Sequence, residues 1–210
     1  MKKLSETYKE LGIAFTFPVE IKDKSGKETY YEDNGGYWYR YEYDGNGKAT
    51  YFENSQGYRY RREYDESGKE TYCENSQGYW ARREYNENGK ETYFEDSDGF
   101  WCRYEYDENG KMTYFKDSDG SWYRYEYDGN GNKTYFEDSD GYWYRSEYDK
   151  NGKGTYCENS KGYWNRYEYD ESGNETYFEN SDGIKRGTKK SSCAGKVIEV
   201  GGKKYKLTEL

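Results

Sequence analysis

Short runs rich in tyrosine and tryptophan, separated by polar turns, fill the chain from residue 26 to residue 183. One kind of run reads Tyr37-Trp38-Tyr39-Arg40-Tyr41-Glu42-Tyr43, the other Lys48-Ala49-Thr50-Tyr51-Phe52-Glu53. Both consist largely of residues that suit a pleated surface, so each predicts a strand. The turns share one chemistry: Asp or Asn, any residue, a polar residue, then Gly, as in Asp107-Glu108-Asn109-Gly110 and Asn180-Ser181-Asp182-Gly183. The Asx side chain bonds the turn backbone and Gly accepts a positive φ, the pattern of a three-residue hairpin loop closed by a glycine bulge. The ends read differently. Leu4, Tyr8 and Leu11 have helical spacing, with Gly12 as a stop. Residues 15–21 predict an imperfect strand, and residues 195–210 a hairpin turning at Gly201-Gly202.

The pattern repeats every 21 residues, in one glycine series from Gly36 to Gly183 and a second from Gly26 to Gly173. Seven full repeats run from Gly36 to Asp182 after a partial one. The expected fold is all-β: tandem 21-residue hairpins forming a long antiparallel meander or spiral sheet, with the helix and the C-terminal hairpin as caps. The expected divisions are residues 1–25 as an N-terminal cap, 26–183 as the array, and 184–210 as a polar linker (185–192) and capping hairpin. Because 21 is odd and side chains alternate faces with a period of two, identical turns alone would flip equivalent residues from repeat to repeat. One parity correction per repeat, a bulge or a second turn type, is therefore predicted, with Trp80 and Trp101 on the same face. Some slots never vary: an Arg, a Glu two residues on, the Tyr after it, and the Thr-Tyr pair beginning Thr50-Tyr51. The slots after Trp and after Arg do vary, and the expectation is that constancy marks packed positions and variation exposed ones.

Composition sharpens this picture. Leu, Ile and Val total 11 of 210 residues, and none lies between Lys22 and Gly183. Aromatic residues make up 21% of the chain, so rings and paired charges must replace an aliphatic core. The net charge of -9 comes from interleaved acids and bases without a basic patch, which argues against nucleic-acid binding. No apolar run is long enough to span a membrane, and residues 1–15 do not read as a signal peptide. Cytoplasmic synthesis is the expectation, with virion assembly or extracellular release as later fates. Cys73 and Cys157 occupy one slot four repeats apart, too far for a disulfide in a regular stack. They read as buried stand-ins for the Phe found there elsewhere; Cys102 and Cys193 complete the cysteines.

Two sets of residues are candidates for function. Trp38, Trp80, Trp101, Trp122, Trp143 and Trp164, with Tyr39, Tyr60, Tyr123 and Tyr144, form a candidate aromatic binding surface. Arg40, Arg61, Arg82, Arg103, Arg124, Arg145 and Arg166, with Glu42, Glu63, Glu84, Glu105, Glu126, Glu147 and Glu168, form a candidate structural ladder in which guanidinium meets carboxylate and indole. There is no histidine, and the acids recur identically in every repeat where an active site is normally singular, so no catalytic residue is assigned. The turns resemble fragments of calcium loops but lack the distant Glu ligand, so neither metal nor cofactor is expected.

The stretch YEYDENGKETYFEDSDG resembles the YD repeat of RHS-type proteins. The matching residues are Tyr43-Asp44, Tyr64-Asp65, Tyr106-Asp107, Tyr127-Asp128, Tyr148-Asp149 and Tyr169-Asp170, each with its following Gly, Thr and acidic turn; Tyr85-Asn86 departs. The resemblance covers about residues 26–183 and implies a spiralling antiparallel sheet, which in that family wraps a toxin. A weaker resemblance links the chain to Tyr-rich repeat proteins of phages and prophages. Gly120-Ser121-Trp122-Tyr123 followed by Asn130-Gly131 is similar to choline- and glucan-binding repeats, whose ligands sit in aromatic cages. The functional expectation is a non-catalytic β-repeat scaffold or binding protein, phage-encoded, acting through a protein partner or self-association. The alternatives are a carbohydrate or cell-wall module and a shell fragment of an RHS-like toxin system.

Overall fold

The computed structural model describes residues 3–189 and 197–206. Helix α1 (Leu4–Glu10) ends at Gly12, φ 67°, where the Gly12 and Ile13 N–H groups bond the Lys9 and Tyr8 carbonyls and close the last turn. The chain divides into two units, Met1–Ser121 and Trp122–Leu210. The first carries β1 (Val19–Lys22), β2 (Glu28–Glu32), β3 (Trp38–Tyr43), β4 (Ala49–Asn54), β5 (Arg59–Tyr64), β6 (Glu70–Asn75), β7 (Trp80–Tyr85), β8 (Glu91–Asp96), β9 (Trp101–Tyr106) and β10 (Met112–Asp117). The second carries β11 (Trp122–Tyr127), β12 (Lys133–Asp138), β13 (Trp143–Tyr148), β14 (Gly154–Asn159), β15 (Trp164–Tyr169), β16 (Glu175–Asn180), β17 (Lys185–Gly187), β18 (Val197–Val200) and β19 (Lys203–Lys206). In each unit the repeat strands form an antiparallel meander in chain order, and β18 and β19 pair as a separate hairpin.

Both turns of the repeat have the same geometry. In the first, Asp44 N–H bonds the Lys48 carbonyl and Asp44 Oδ1 accepts the N–H groups of Asn46 and Lys48; in the second, Asn54 does the same with Tyr58, Gln56 and Tyr58. Identical turns leave the parity problem unsolved, and a bulge solves it. Tyr43 faces Ala49, but Glu42 faces Tyr51, so Thr50 is the extra residue. The same shift recurs at each first-turn hairpin of both units and is missing from the second-turn hairpins. Tyr93 consequently faces Arg103 on one side and Glu84 on the other, and Glu95 faces both Arg82 and Trp101. Trp80 and Trp101 therefore share a face, as the odd repeat length requires.

The bulge explains the unvarying Thr and Tyr. Thr29, Thr50 and Thr176 turn their hydroxyls onto the carbonyls of Ile21, Glu42 and Glu168 across the hairpin, each at 3.2 Å. The Tyr after each Glu reaches from the next repeat to the carbonyl of the residue before that Thr. Tyr43 bonds Glu28 O at 2.8 Å, Tyr64 Ala49 O at 3.1 Å, and Tyr148 Lys133 O at 2.9 Å. Lys27, Lys48, Lys69 and Lys153 lie over the rings of Tyr43, Tyr64, Tyr85 and Tyr169 and donate to the turn carbonyls of Gly47, Gly68, Gly89 and Gly173. Backbone carbonyls that a bulge takes out of the ladder are thus satisfied by the neighbouring repeat.

The two faces of the sheet differ. One carries the Trp, Arg and Glu slots with the Tyr51 and Glu53 slots; the other carries the remaining Tyr slots around a central Phe. Phe52 lies 4.9 Å from Tyr41 and 5.4 Å from Tyr60, and Phe136 5.3 Å from Tyr125 and 5.4 Å from Tyr144. Such pairs contribute about 0.5–1.5 kcal/mol each beyond their buried area. Burial follows the expectation from constancy at the unvarying Tyr slots, which are half-buried or buried, and departs from it at the Arg and Glu slots. Unvarying Arg61, Arg82, Arg103, Glu63 and Glu84 are exposed, whereas the variable slot after Trp holds fully buried Ala81 and Cys102. The variable slots touch the central Phe, so they change with it: Cys73 faces Arg62 and Ala81, and Cys157 faces Ser146 and Asn165. Cys73 and Cys157 themselves are half-buried rather than buried, both are free thiols, and Cys193 lies outside the described residues.

At the start of the array, Val19 and Ile21 stand where later repeats carry Arg and Glu, and α1 covers them. Val19, Tyr30 and Trp38 form a buried cluster joined by Leu4, Tyr8 and Phe15. Glu32, 1% exposed, has no Arg opposite it and instead accepts Ser5 N–H, the Ser5 hydroxyl and the Tyr30 hydroxyl. Burial alone raises its carboxyl, but these bonds and nearby Lys3 hold it below the ordinary range. The strand expected at residues 15–21 is confined to Val19–Lys22, and Phe15 serves the helix cluster instead. At the far end, Lys185–Gly187, read as linker, pairs with β16: Lys185 meets Glu179 at 2.7 Å and Arg186 lies 4.5 Å from the Phe178 ring centre. A Cβ on Gly187, φ 75°, would meet Thr176 O at 2.0 Å, so only glycine fits. Residues 190–196 of the expected linker and hairpin, and 207–210, lie outside the described residues.

Candidate functional site

The residues expected to form one aromatic surface lie on two. Trp38 is buried beneath α1, and Trp80, Trp101, Trp122, Trp143 and Trp164 are half-buried on the Arg/Glu face. Tyr39, Tyr60, Tyr123 and Tyr144 are half-buried around the Phe centres of the opposite face. On the Arg/Glu face, Arg40, Arg61, Arg82 and Arg124 meet the Glu two residues on at 3.5, 3.4, 3.7 and 2.9 Å, and Arg40 and Arg145 reach across the hairpin to Glu53 and Glu158 at 3.0 and 2.6 Å. The ring they most often approach is Tyr rather than indole. Tyr93 lies between Arg82 and Arg103 at 5.5 and 5.4 Å, and Tyr156 between Arg145 and Arg166 at 5.9 and 5.6 Å. These pairs are largely solvated and contribute at most about 1 kcal/mol each.

The exposed aromatic residues occupy a different slot, the one directly after the second-turn glycine. Tyr37, Tyr58, Tyr79 and Phe100 in the first unit are 37%, 36%, 40% and 39% exposed, and Tyr163 in the second is 57% exposed. All lie on the Phe-centred face. Each is held at its base, because its N–H donates to the Asx oxygen of the preceding turn: Tyr37 to Asp33, Tyr58 to Asn54, Tyr79 to Asn75, Phe100 to Asp96, Tyr163 to Asn159. The rings lean on the Phe centres from one side, Tyr58 at 6.2 Å from Phe52 and Phe100 at 6.1 Å from Phe94. The register fixes their pitch. Successive members are two strands apart and staggered by two residues, a separation of about 12 Å. The sequence contained the signal, an aromatic after each such glycine except at Ser121 and Ile184, but the Trp beside it drew the reading away.

This face also carries charge: Arg62 and Arg83 lie over the Tyr60 and Phe94 rings and pair with Glu70 and Glu91. Burial pushes the hydroxyls of Tyr41, Tyr60 and Tyr144 up from their ordinary value, and burial and then the bond to Glu28 do the same for Tyr39. Burial also raises the thiols of Cys73 and Cys102, which keeps them protonated and weakly nucleophilic. Among the described residues no three acidic or cysteine side chains gather as a metal-holding group. Beside these ion pairs, four successive second turns of the first unit each present a ring to solvent, Tyr37, Tyr58, Tyr79 and Phe100.

No protein-family model and no curated protein matches the chain. Solved structures do. One described as a Photorhabdus luminescens Tc holotoxin pore with the mutation TccC3-D651A is 12% identical, with a TM-score of 0.39, covering 78% of this chain and 11% of that one. TcdB2-TccC3 is 14% identical, with a TM-score of 0.40, covering 78% of this chain and 12% of that one. TcdB2-TccC3-TEV is 12% identical, with a TM-score of 0.35, covering 85% and 13%. The chain therefore spans about an eighth or less of the length of the structures it matches.

Proposed function

We propose that this chain is a non-catalytic β-repeat scaffold that binds through the aromatic row of Tyr37, Tyr58, Tyr79 and Phe100, with a protein partner or a second copy as its target. The observation that carries this reading is the exposure of large rings in one slot, four repeats running, each anchored by its own turn. Rings fixed before binding lose little freedom on contact, and Tyr offers apolar area with a polar tip. The Arg/Glu face is less suited to this role because its Trp residues are half-buried or buried and none is among the exposed rings. The absence of a catalytic role belongs to the same proposal. It is supported by protonated thiols and by carboxylates used in turns and ion pairs.

The test compares the wild-type chain with Tyr58→Ser/Tyr79→Ser, immobilised at low density, against host extract and a glycan array. Ser already occupies this slot at Ser121, whose N–H bonds Asp117 Oδ1 as the aromatic residues bond theirs, so the fold should tolerate the change. Protein capture by the wild type that the double variant loses supports the reading. Glycan binding lost in the variant replaces the protein target with a polysaccharide, and capture equal in both chains removes the row from function.

A further inference from the structure

We infer that the occupant of this row is a second copy of the chain, packed by a two-fold axis so that the two rows run antiparallel and interdigitate. The inference rests on the preceding reading of the row as the binding surface and names its partner. Geometry is the first argument. A pitch of about 12 Å is twice the 4.5–7 Å centroid separation that aromatic pairs prefer, so a ring from an identical row fits between two successive rings. The sheet leaves that gap open. Between Tyr58 and Tyr79 the facing residue is Asn75, small and tied into its turn by the N–H groups of Gln77 and Tyr79. Between Tyr79 and Phe100 the corresponding residue is Asp96, tied likewise by the N–H groups of Asp98 and Phe100, with Phe94 beside Phe100. An identical row is the one partner whose period matches at every repeat without adjustment, and an antiparallel pair about a two-fold axis closes on itself instead of growing into a filament.

Area is the second argument. The chain exposes 14520 Å². A compact chain of 25.2 kDa exposes about 10,000 Å², and a standard interface needs about 1,600 Å². Ample surface therefore remains to be covered, and the uncovered aromatic face is where covering it gains most. Charge is the third. The rings carry no formal charge, but the carboxylates of Asp33 and Asp96 hold two of their bases and each copy carries -9 overall. Two copies attract through rings and repel through their net negative charge, so added salt should tighten the pair by screening the repulsion. A partner held by charge complementarity would behave in the opposite way.

Sedimentation of the full chain from about 1 to 200 μM, at low and high salt, tests the inference. Three samples suffice: wild type, Tyr58→Ser/Tyr79→Ser, and Arg82→Gln on the opposite face, each checked for an unchanged β-sheet spectrum. Expected are a wild-type dimer that strengthens with salt, a dissociation constant raised at least about 30-fold in the double variant, and no change in Arg82→Gln. A wild-type chain that stays monomeric throughout overturns the inference. So does association that the double variant retains, that Arg82→Gln abolishes, or that salt weakens. A monomeric wild type that still captures another protein through the row defeats the second-copy inference alone and leaves the proposed function standing.

Discussion

Tyr64 shows how much a single residue contributes to this fold without touching a conventional core. Its ring lies under Lys48 at 4.9 Å, and its hydroxyl bonds Ala49 O at 3.1 Å, joining two repeats at the bulge. Removing only the hydroxyl, Tyr64→Phe, should cost about 1 kcal/mol in chemical denaturation, with no loss of β-sheet signal. The turn aspartates give a second residue-scale prediction. Asp23, Asp65 and Asp128 are held below the ordinary range chiefly by the side chains of Ser25, Ser67 and Asn132, and Asp170 chiefly by the Asn174 N–H. Their stabilisation is complete above the unfolded value of about 3.9 and is lost as the pH falls through their lower folded values. Asp65→Asn, which copies the natural Asn86 turn, should keep the neutral-pH fold and make acid unfolding measurably less steep. The sequence showed that Tyr and Thr were fixed, but not why. The cause is a carbonyl in another repeat, and periodicity cannot reveal which backbone group lacks a partner.

The element that decides the architecture is the bulge. Repeat length predicted that a parity correction exists, and turn chemistry predicted both hairpin loops, because each rests on local residues. The position of the correction was not legible, since Thr50 looks like any strand residue until its partner strand is placed. Deleting Thr92 removes the extra residue and its bulge together, so the repeat becomes even and every strand after β8 should keep its face. The expected outcome is soluble folded β-sheet protein both for the deletion and for Thr92→Ala, which keeps the count and the bulge; expression and circular dichroism of the pair check this, and loss of folded protein in the deletion alone would contradict it. The expectation that constant slots are packed held for Tyr but failed for Arg and Glu, for a related reason. Arg and Glu are constant because each repeat pairs its own charges on an open face, whereas the opposite face permits compensating changes such as Cys73 with Ala81. The strand Lys185–Gly187 went unread because its pairing rests on a backbone fit, with Gly187 against Thr176, that leaves little trace in composition.

Over the whole molecule, aromatic residues carry the burial that aliphatic residues carry elsewhere, and this has a chemical consequence at high pH. Burial raises Tyr30 to about 12 and shifts Tyr41, Tyr60 and Tyr144 in the same direction. Stabilisation from such groups is intact below the unfolded value of about 10 and is lost as the pH rises through their folded values. Unfolding should therefore accompany tyrosinate formation above about pH 10, with absorbance and circular dichroism changing together. The helix that covers Val19, Tyr30 and Trp38 was legible from its spacing, but its anchor, Glu32, was not, because its identity as a buried acceptor appears only once Val19 replaces the Arg that later repeats supply.

The claim on which the rest depends is that an odd repeat is kept facing one way by one bulge in each first-turn hairpin. Nuclear Overhauser contacts of the Tyr93 ring test it most directly. The ring should show contacts to the side chains of both Arg82 and Arg103, which flank it at 5.5 and 5.4 Å. Contacts to only one of these arginines, with the other lying over Phe94, would mean that successive repeats alternate faces and would contradict the account.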